Sequence, residues 1–248
     1  MEHIPISLFF PVYKDETTVA VMVEKALALL QGLSEEYEVI VVDDASPDRA
    51  GAIADELALC HERVRVIHHP VNMGYGAAVR SGLSACTFEY VCFTDGDDQY
   101  EVNDFVKLLK LRDRYDLIIT FRYRKIYSSA RIFISWFYNK LLRFMFRTPF
   151  RDVSTGLRMV RRSILSDIEL EAASPFIGAE LAIKAMLHGY RVGEVGIQTF
   201  PRTFGRGSST SVRNIVATMA DMWRIYRQVF SERYNLPPGR PRPPGGRR

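Results

Sequence analysis

Short apolar runs alternate with helical patterns through the first half of the chain, and this alternation restricts the possible folds more than any other feature. The apolar runs begin at Ile6, Val39, Val64, Tyr90 and Leu117. Between consecutive runs, apolar residues recur at the spacing of an amphipathic helix. Strictly alternating strands and helices favour an open parallel sheet with helices on both faces. We therefore predict an α/β fold.

Polar clusters follow the apolar runs and indicate where a ligand would bind. They begin at Tyr13, Asp43, Asn72, Asp95 and Arg122. The opposite connections, near Glu36, Glu62 and Arg114, lack comparable groups of glycines and acids. In open parallel sheets, ligands bind outside the carboxyl ends of the strands. The sequence therefore predicts an active site at that edge.

The acidic stretch at residues 95–99, Asp-Gly-Asp-Asp-Gln, follows the fourth apolar run. In an extended chain, side chains two residues apart share a face, so Asp95, Asp97 and Gln99 would converge. Three oxygen donors suit Mg²⁺ or Mn²⁺, which keeps positions open for a substrate diphosphate. The alternative interpretation of an isolated Asp-x-Asp is a solvated acidic turn.

The remaining clusters also have structural interpretations. Asp43 and Asp44 could be a buried acid and part of a helix start, with Ser46 or Asp48 as the cap, which is compatible with a ligand role for Asp44. The Asn-x-Gly-x-Gly stretch at 72–76 could be only a turn, although glycines that open a helix permit close approach of a phosphate or sugar. We interpret His68 and His69 as a strand end rather than metal ligands.

Charge and cysteine content limit the class of protein. The formal charge is +4, and four arginines lie in the last dozen residues, so the body is near neutral and nucleic acid is not an expected partner. Three cysteines without metal-ligand spacing fit reduced, buried thiols in a cytosolic protein. We expect neither a signal peptide nor a membrane-spanning segment.

A strongly basic stretch begins the second half. Residues 117–151 contain eight basic residues and no acid. Within it, residues 128–146 predict a helix with a wide apolar arc and a polar residue at every fourth position: Arg131, Ser135, Asn139, Arg143 and Arg147. Such a helix could lie in the membrane interface, attracted to anionic headgroups, or pack on the sheet with a solvated basic stripe.

The last hundred residues predict further elements around a basic loop. A helix is expected over 176–188, a strand over 190–200 and an amphipathic helix from Val212. Between the last two, Arg202 and Arg206 could make bidentate contacts to phosphate or be ordinary surface arginines. The Pro, Gly and Arg tail at 237–248 predicts disorder and could touch anionic lipid.

Six motifs in this order resemble the GT-A glycosyltransferases of family 2, and within them the polyprenyl-phosphate sugar transferases typified by dolichyl-phosphate mannosyltransferase. The resemblance extends from about Ile6 to about Ile225. The motifs lie at residues 11–16, 41–48, 72–76, 95–99, 121–123 and 152–158. Two positions depart from the family pattern: Asp98 stands where leucine is frequent, and the Arg-Gly-x-Ser-Lys motif ends in Thr210. The Gln-x-x-Arg-Trp motif of processive synthases does not occur, which favours a single transfer.

The resemblance implies a GT-A, Rossmann-like, mostly parallel sheet with C-terminal amphipathic helices, and it assigns site residues. The donor would contact Pro11, Tyr13, Glu16, Asp44, Asn72, Gly74, Gly76, Asp95 and Gly96, with the base near Tyr13 and Asp44. Mg²⁺ or Mn²⁺ would bind Asp95, Asp97 and Gln99. Catalytic roles would fall to Asp97, Arg122, Asp152 and Glu180. The acceptor phosphate would meet Arg122, Arg131, Ser154, Arg202 and Arg206.

The expected function is inverting transfer of a sugar from a UDP- or GDP-sugar to a polyprenyl or dolichyl phosphate, by a protein peripheral on the cytoplasmic membrane face. A soluble or glycan hydroxyl acceptor is the alternative, and it would need a general base such as Asp98, Asp152 or Glu180. A nucleotidyltransferase or a non-catalytic nucleotide- or metal-binding module stays open. A homo-oligomer or a membrane-protein partner is compatible with the sequence.

The expected domain organisation is a single domain over 1–236. Its nucleotide-sugar-binding half would cover 1–121 and its acceptor-side half 122–236, followed by the tail at 237–248.

Overall fold

A computed structural model of the chain describes residues 4–95, 104–123, 129–153, 155–198 and 211–230. The described strands are β1 (Ile6–Val12), β2 (Tyr37–Asp43), β3 (Val64–His68), β4 (Tyr90–Phe93), β5 (Leu117–Arg122), β6 (Arg158–Arg161) and β7 (Val192–Ile197). The described helices are α1 (Val19–Gln31), α2 (Ala50–Cys60), α3 (Tyr75–Ala85), α4 (Phe105–Leu109), α5 (Ser129–Phe146), α6 (Ile177–Leu187) and α7 (Val212–Phe230). A 3-10 helix follows β6 at Arg162–Ser166.

The strands form one sheet in the order β3-β2-β1-β4-β6-β5-β7. All neighbouring strands in it are parallel except β6, which runs antiparallel to both β4 and β5. The predicted mostly parallel α/β sheet is therefore confirmed. Strand β6 was not predicted; it lies between β4 and β5 in the sheet and so separates the first four strands from β5 and β7.

Helices cover both faces because the central strands are apolar on both sides. On one face, Phe9 of β1 packs in a core with residues of α3, α5, α6 and α7. On the other, Leu8 and Phe10 pack in a core with residues of α1, α2 and α4. This alternation within β1 follows from the two-residue period of a strand, and it places the two layers of helices predicted from the sequence.

Two sequence expectations need correction. Cys86 and Cys92 are buried as expected, but Cys60 is exposed because it ends α2 at the surface. The polar stripe expected on α5 is not exposed to solvent along its whole length. Asn139 of that stripe is buried, whereas Arg143 is exposed. The reason is tertiary: the Asn139 side chain bonds to residues 152 and 153 of the following loop.

The apolar arc of α5 divides into an inner and an outer part. Leu142 and Phe146 are buried in the core, whereas Phe133, Trp136, Phe137 and Phe144 are exposed, Phe144 by 84%. Lys140 and Arg143 lie on the same outward side of the helix. We call these four aromatic and two basic residues the outer face of α5. No described helix is both long and apolar enough to cross a membrane.

Candidate active site

The carboxyl ends of β1, β2 and β3 meet at one edge of the sheet and bring the first polar clusters together. Val12 pairs with Asp43, and Asp43 pairs with His68. The next residue continues the ladder, because the amide of Asp44 donates to the Val12 carbonyl at 3.0 Å. Tyr13 follows directly after β1, and Asp95 lies two residues beyond β4, which also pairs with β1.

Asp44 is a buried carboxylate that holds the loop at residues 72–74. It is 3% exposed. Its Oδ1 accepts the Met73 amide at 2.8 Å and lies 2.7 Å from His69 Nδ1, and its Oδ2 accepts the Gly74 amide at 2.8 Å. The Asn72 side chain donates to the Asp44 carbonyl at 3.3 Å. Asp44, Asn72 and Gly74 are therefore brought together, while the contact of Asp44 to a nucleotide base stays a prediction.

His69 also contacts this carboxylate, a role that was not predicted from the sequence. Its Nδ1 faces Asp44 and its Nε2 lies 2.9 Å from Ser81 Oγ on α3. With Nδ1 protonated, Nε2 accepts the Ser81 hydroxyl proton, so both ring nitrogens are satisfied. The signal was present in the sequence as a histidine pair at the predicted strand end, directly across the sheet from Asp43 and Asp44.

The glycines after Asn72 allow the loop to pack against the protein itself. Gly74 has φ of +90°, a conformation that favours glycine. At Gly76 a Cβ atom would lie 2.1 Å from the Ala172 carbonyl oxygen, and the Gly76 amide donates to the Ala173 carbonyl at 2.9 Å. The close approach expected from the sequence is thus made, at Gly76, by the backbone of residues 172–173.

The loop that follows β1, at residues 13–18, is hydrogen-bonded to the loop that follows β2. The Glu16 amide donates to Asp48 Oδ2 at 3.2 Å, and Glu16 Oε2 accepts the Arg49 amide at 3.1 Å. Asp48 Oδ1 also accepts the Ala50 amide at 3.2 Å, but the N-cap residue of α2 is Arg49, so neither Ser46 nor Asp48 is the cap that the sequence predicted. Tyr13 is exposed above this junction, and Pro11 is buried within β1.

Asp95 lies between the start of α3 and the loop that precedes β6. Its Oδ1 accepts the Tyr75 hydroxyl proton at 2.7 Å. Its Oδ2 is so close to Gly156 that a Cβ atom there would lie 2.5 Å away. An anionic oxygen donor held at this edge fits a hard divalent cation. The described residues contain no group of three His, Cys, Asp or Glu side chains placed to hold a metal.

Several predicted site residues lie outside the described part of the chain. These are Gly96, Asp97, Gln99, Ser154, Arg202 and Arg206. Arg131 lies on α5, and its side chain is likewise not described. Their roles stay predictions.

Arg122 and Asp152 form a buried ion pair. Arg122 Nε and Nη2 donate to Asp152 Oδ2 at 2.9 and 2.8 Å. Asp152 Oδ1 accepts the Asn139 side-chain amide at 3.2 Å, so α5 also contacts this pair. Because both side chains are almost fully buried, each charge is compensated by the other. The structure therefore joins one predicted catalytic residue directly to a predicted phosphate contact.

Glu180 is enclosed by the protein, with no exposed surface. Its carboxylate accepts the amides of Glu171 and Ala172 and lies 2.7 Å from Nζ of Lys184, which is also buried. A buried charge of this kind is tolerated when it is paired and hydrogen-bonded. Its described contacts hold the segment at residues 171–172, which supports Gly76, and they differ from those of an accessible general base.

Comparisons with known proteins identify the family. The model of the family described as glycosyl transferase family 2 matches residues 7–169. The chain belongs to glycosyl transferase family 2. It is 30% identical over 205 residues to the polyprenol monophosphomannose synthase of Mycolicibacterium smegmatis, an alignment that covers 77% of each chain. It is 25% identical over 249 residues to the dodecaprenyl-phosphate galacturonate synthase of Rhizobium johnstonii, covering 96% of this chain and 70% of that relative.

A solved structure supports the same fold for this family 2 glycosyltransferase. Glucosyl-3-phosphoglycerate synthase of Mycobacterium tuberculosis, in complex with Mn²⁺, UDP and glucosyl-3-phosphoglycerate, superposes with a TM-score of 0.65 at 20% identity. The superposition covers 91% of this chain and 77% of that one. The expected enzyme class and GT-A-like fold are thus confirmed.

Replacement of Asp44 by Asn should loosen the loop at 72–74. An amide has one acceptor oxygen and cannot serve Met73, Gly74 and His69 together, so buried donors lose partners at a cost of about 1–3 kcal/mol. We expect the free energy of unfolding of Asp44→Asn to fall by that amount and amide exchange at Met73 and Gly74 to accelerate. Asp113→Asn is the matched control, because the Asp113 side chain is 74% exposed. Equal losses in both variants would contradict this account.

The stability of the protein should depend on pH through His68. Hydrogen bonds to Asp55 and Asp43 raise the pKa of the His68 imidazole above its ordinary value of 6.5. Protonated His68 therefore stabilises the fold fully below pH 6.5, and this contribution is lost as pH rises through the higher folded pKa. Denaturant titrations from about pH 6 to pH 9 should show a steeper decline in wild type than in His68→Gln. Parallel curves would count against the interaction.

Proposed function

We propose that this glycosyltransferase moves a sugar from a nucleotide-sugar to a polyprenyl phosphate at a membrane surface, in one inverting displacement. The observation that carries the proposal is the position of α5. Its inner side contacts the Arg122–Asp152 pair through Asn139, and its outer face presents four exposed aromatic residues and two basic ones. One helix would thus link the reaction site to a lipid surface.

The donor would bind at the carboxyl edge, on the loops that Asp44 and Glu16 organise. Its base would lie near Tyr13, and its diphosphate near Gly74 and Gly76 at the start of α3, where the positive end of the helix dipole favours anions. The Gly74 and Gly76 amides donate to Asp44 and Ala173, so they would fix the loop rather than bind the diphosphate. Asp95, Asp97 and Gln99 would hold Mn²⁺ or Mg²⁺, and the Mn²⁺ and UDP of the mycobacterial synthase support this choice by analogy. A bound divalent ion supplies Lewis-acid stabilisation of the departing nucleoside diphosphate.

The described carboxylates favour a phosphate acceptor over a hydroxyl. A polyprenyl phosphate is anionic at neutral pH and needs no strong general base, whereas a hydroxyl does. Asp152 pairs with Arg122 and Glu180 pairs with Lys184, so both carboxylates have a buried cation as partner. The acceptor phosphate would meet Arg122, Arg131, Ser154, Arg202 and Arg206, and the names of the mycolicibacterial and rhizobial relatives support a lipid-phosphate acceptor.

The outer face of α5 would rest in the interface of an anionic membrane. Aromatic residues bury their rings at the headgroup boundary, while Lys140 and Arg143 attract anionic lipid. In this proposal residues 1–236 act as one domain, with the donor on 1–121 and the acceptor on 122–236. The enzyme would act as a peripheral protein on the cytoplasmic face.

Product analysis tests the reaction. Purified protein with Mn²⁺, a panel of UDP- and GDP-sugars and detergent-dispersed polyprenyl phosphate should yield a lipid-linked sugar detectable by mass spectrometry. Removal of the metal with EDTA should abolish the product, and Asp95→Asn should lower the rate at least about a hundredfold, since metal stabilisation contributes several kcal/mol. Transfer only to a soluble hydroxyl acceptor such as 3-phosphoglycerate would contradict the lipid assignment.

Vesicle binding tests the membrane surface. Co-sedimentation with vesicles containing phosphatidylglycerol should weaken roughly tenfold in Phe144→Ser, because burial of one aromatic side chain contributes about 1.5–3 kcal/mol. High salt should weaken binding further. Leu59→Ser is the matched control, because Leu59 is also highly exposed but lies on α2, on the other face of the sheet. Equal binding of both variants would overturn this part of the proposal.

A further inference from the structure

We propose that Tyr75 is a positioning residue that couples the nucleotide loop to the metal ligand Asp95, an inference that rests on the proposed function. Tyr75 is the first residue of α3, directly after Gly74. Its hydroxyl donates to Asp95 Oδ1 at 2.7 Å. This bond joins two predicted parts of the donor site that are twenty residues apart in the chain.

The backbone on both sides of Tyr75 is fixed by contacts to other parts of the protein. On one side, the Gly74 amide donates to the buried carboxylate of Asp44 at 2.8 Å. On the other, the Gly76 amide donates to the Ala173 carbonyl at 2.9 Å, and residues 172–173 leave no room for a Cβ atom at Gly76. Tyr75 itself is partly buried against the core. A tyrosine held in this way has two side-chain torsions and places its hydroxyl at a defined point.

Asp95 is in turn restricted on its two oxygens. Oδ1 accepts the Tyr75 hydroxyl proton, and Oδ2 lies where any side chain at Gly156 would collide with it. The carboxylate is therefore oriented by the residues around it. Hydrogen bonds from residues behind a metal ligand orient that ligand, and their loss typically costs 10–100-fold in metal affinity.

These contacts form a continuous chain from Asp44 through Gly74 and Tyr75 to Asp95. A nucleotide bound on the loop at 72–76 and a metal ion bound at Asp95 would both depend on the position of Tyr75. Each ligand should then strengthen the binding of the other, and this coupling is reciprocal. Removal of the Tyr75 hydroxyl breaks this series of contacts without changing the ring.

The test measures the coupling directly. Isothermal titration calorimetry gives the affinity of wild type and Tyr75→Phe for UDP, or GDP if wild type binds that, with and without Mn²⁺. We expect the affinity without metal to change less than about twofold, and the gain in affinity on adding Mn²⁺ to fall about tenfold in the variant. Tyr75→Phe should also cause no further loss of that gain in an Asp95→Asn background, since the two residues would act as one unit.

A matched control and the opposing outcomes make the test decisive. Tyr37→Phe removes one hydroxyl at the opposite edge of the sheet, where Tyr37 pairs with Ile6 at the start of β1, and should leave the gain unchanged. An unchanged gain in Tyr75→Phe, or an equal loss of affinity with and without metal, would overturn the coupling role alone. Absence of any metal-dependent nucleotide binding by wild type would instead overturn the donor site, and this inference with it.

Discussion

The buried carboxylate of Asp44 is the interaction on which the described site depends. Placing a charge in the protein interior is costly unless it is hydrogen-bonded, and here the amides of Met73 and Gly74 and the ring of His69 meet it. Because Asp44 continues directly from β2, the position of the loop at 72–74 is set by the sheet itself. Hydrogen bonds to an ionised acceptor are also stronger than neutral ones, so this carboxylate fixes the orientation of the loop.

A second layer of contacts holds that loop from the other side. Residues 171–174 lie between the loop at 72–76 and α7. Gly76 and Arg80 donate to the carbonyls of this segment, Glu180 accepts its amides from below, and Asp221 of α7 accepts the amides of Ala173 and Ser174. The conformation of the loop near Gly74 therefore depends on contacts that α6 and α7 support.

The helices and strands that could be predicted are those whose pattern of apolar residues is visible in the local sequence. Apolar runs that alternate with helical spacing of apolar residues predict the parallel strands and the helices between them. The helix predicted over 128–146 lies at Ser129–Phe146. Strand β6 was not predicted because its sequence, Arg-Met-Val-Arg, has two basic residues in four. Arg158 is nevertheless buried, and its guanidinium group donates to the carbonyls of Val153, Thr155 and Gly178. Similarly, no local sequence pattern reveals that Asn139 is buried or that Lys184 forms a buried ion pair with Glu180. The polar clusters at the strand ends were identifiable because topology alone places them at one edge.

We propose above all that the carboxyl edge of the sheet binds a nucleoside diphosphate through a metal ion at Asp95 and the loop at 72–76. The most direct measurement is anomalous diffraction at the manganese edge from crystals grown with Mn²⁺ and the nucleotide that binds. The account predicts one strong peak within coordination distance of the Asp95 carboxylate, with the diphosphate between that peak and the start of α3. A manganese peak away from Asp95, or a diphosphate bound elsewhere on the protein, would contradict it.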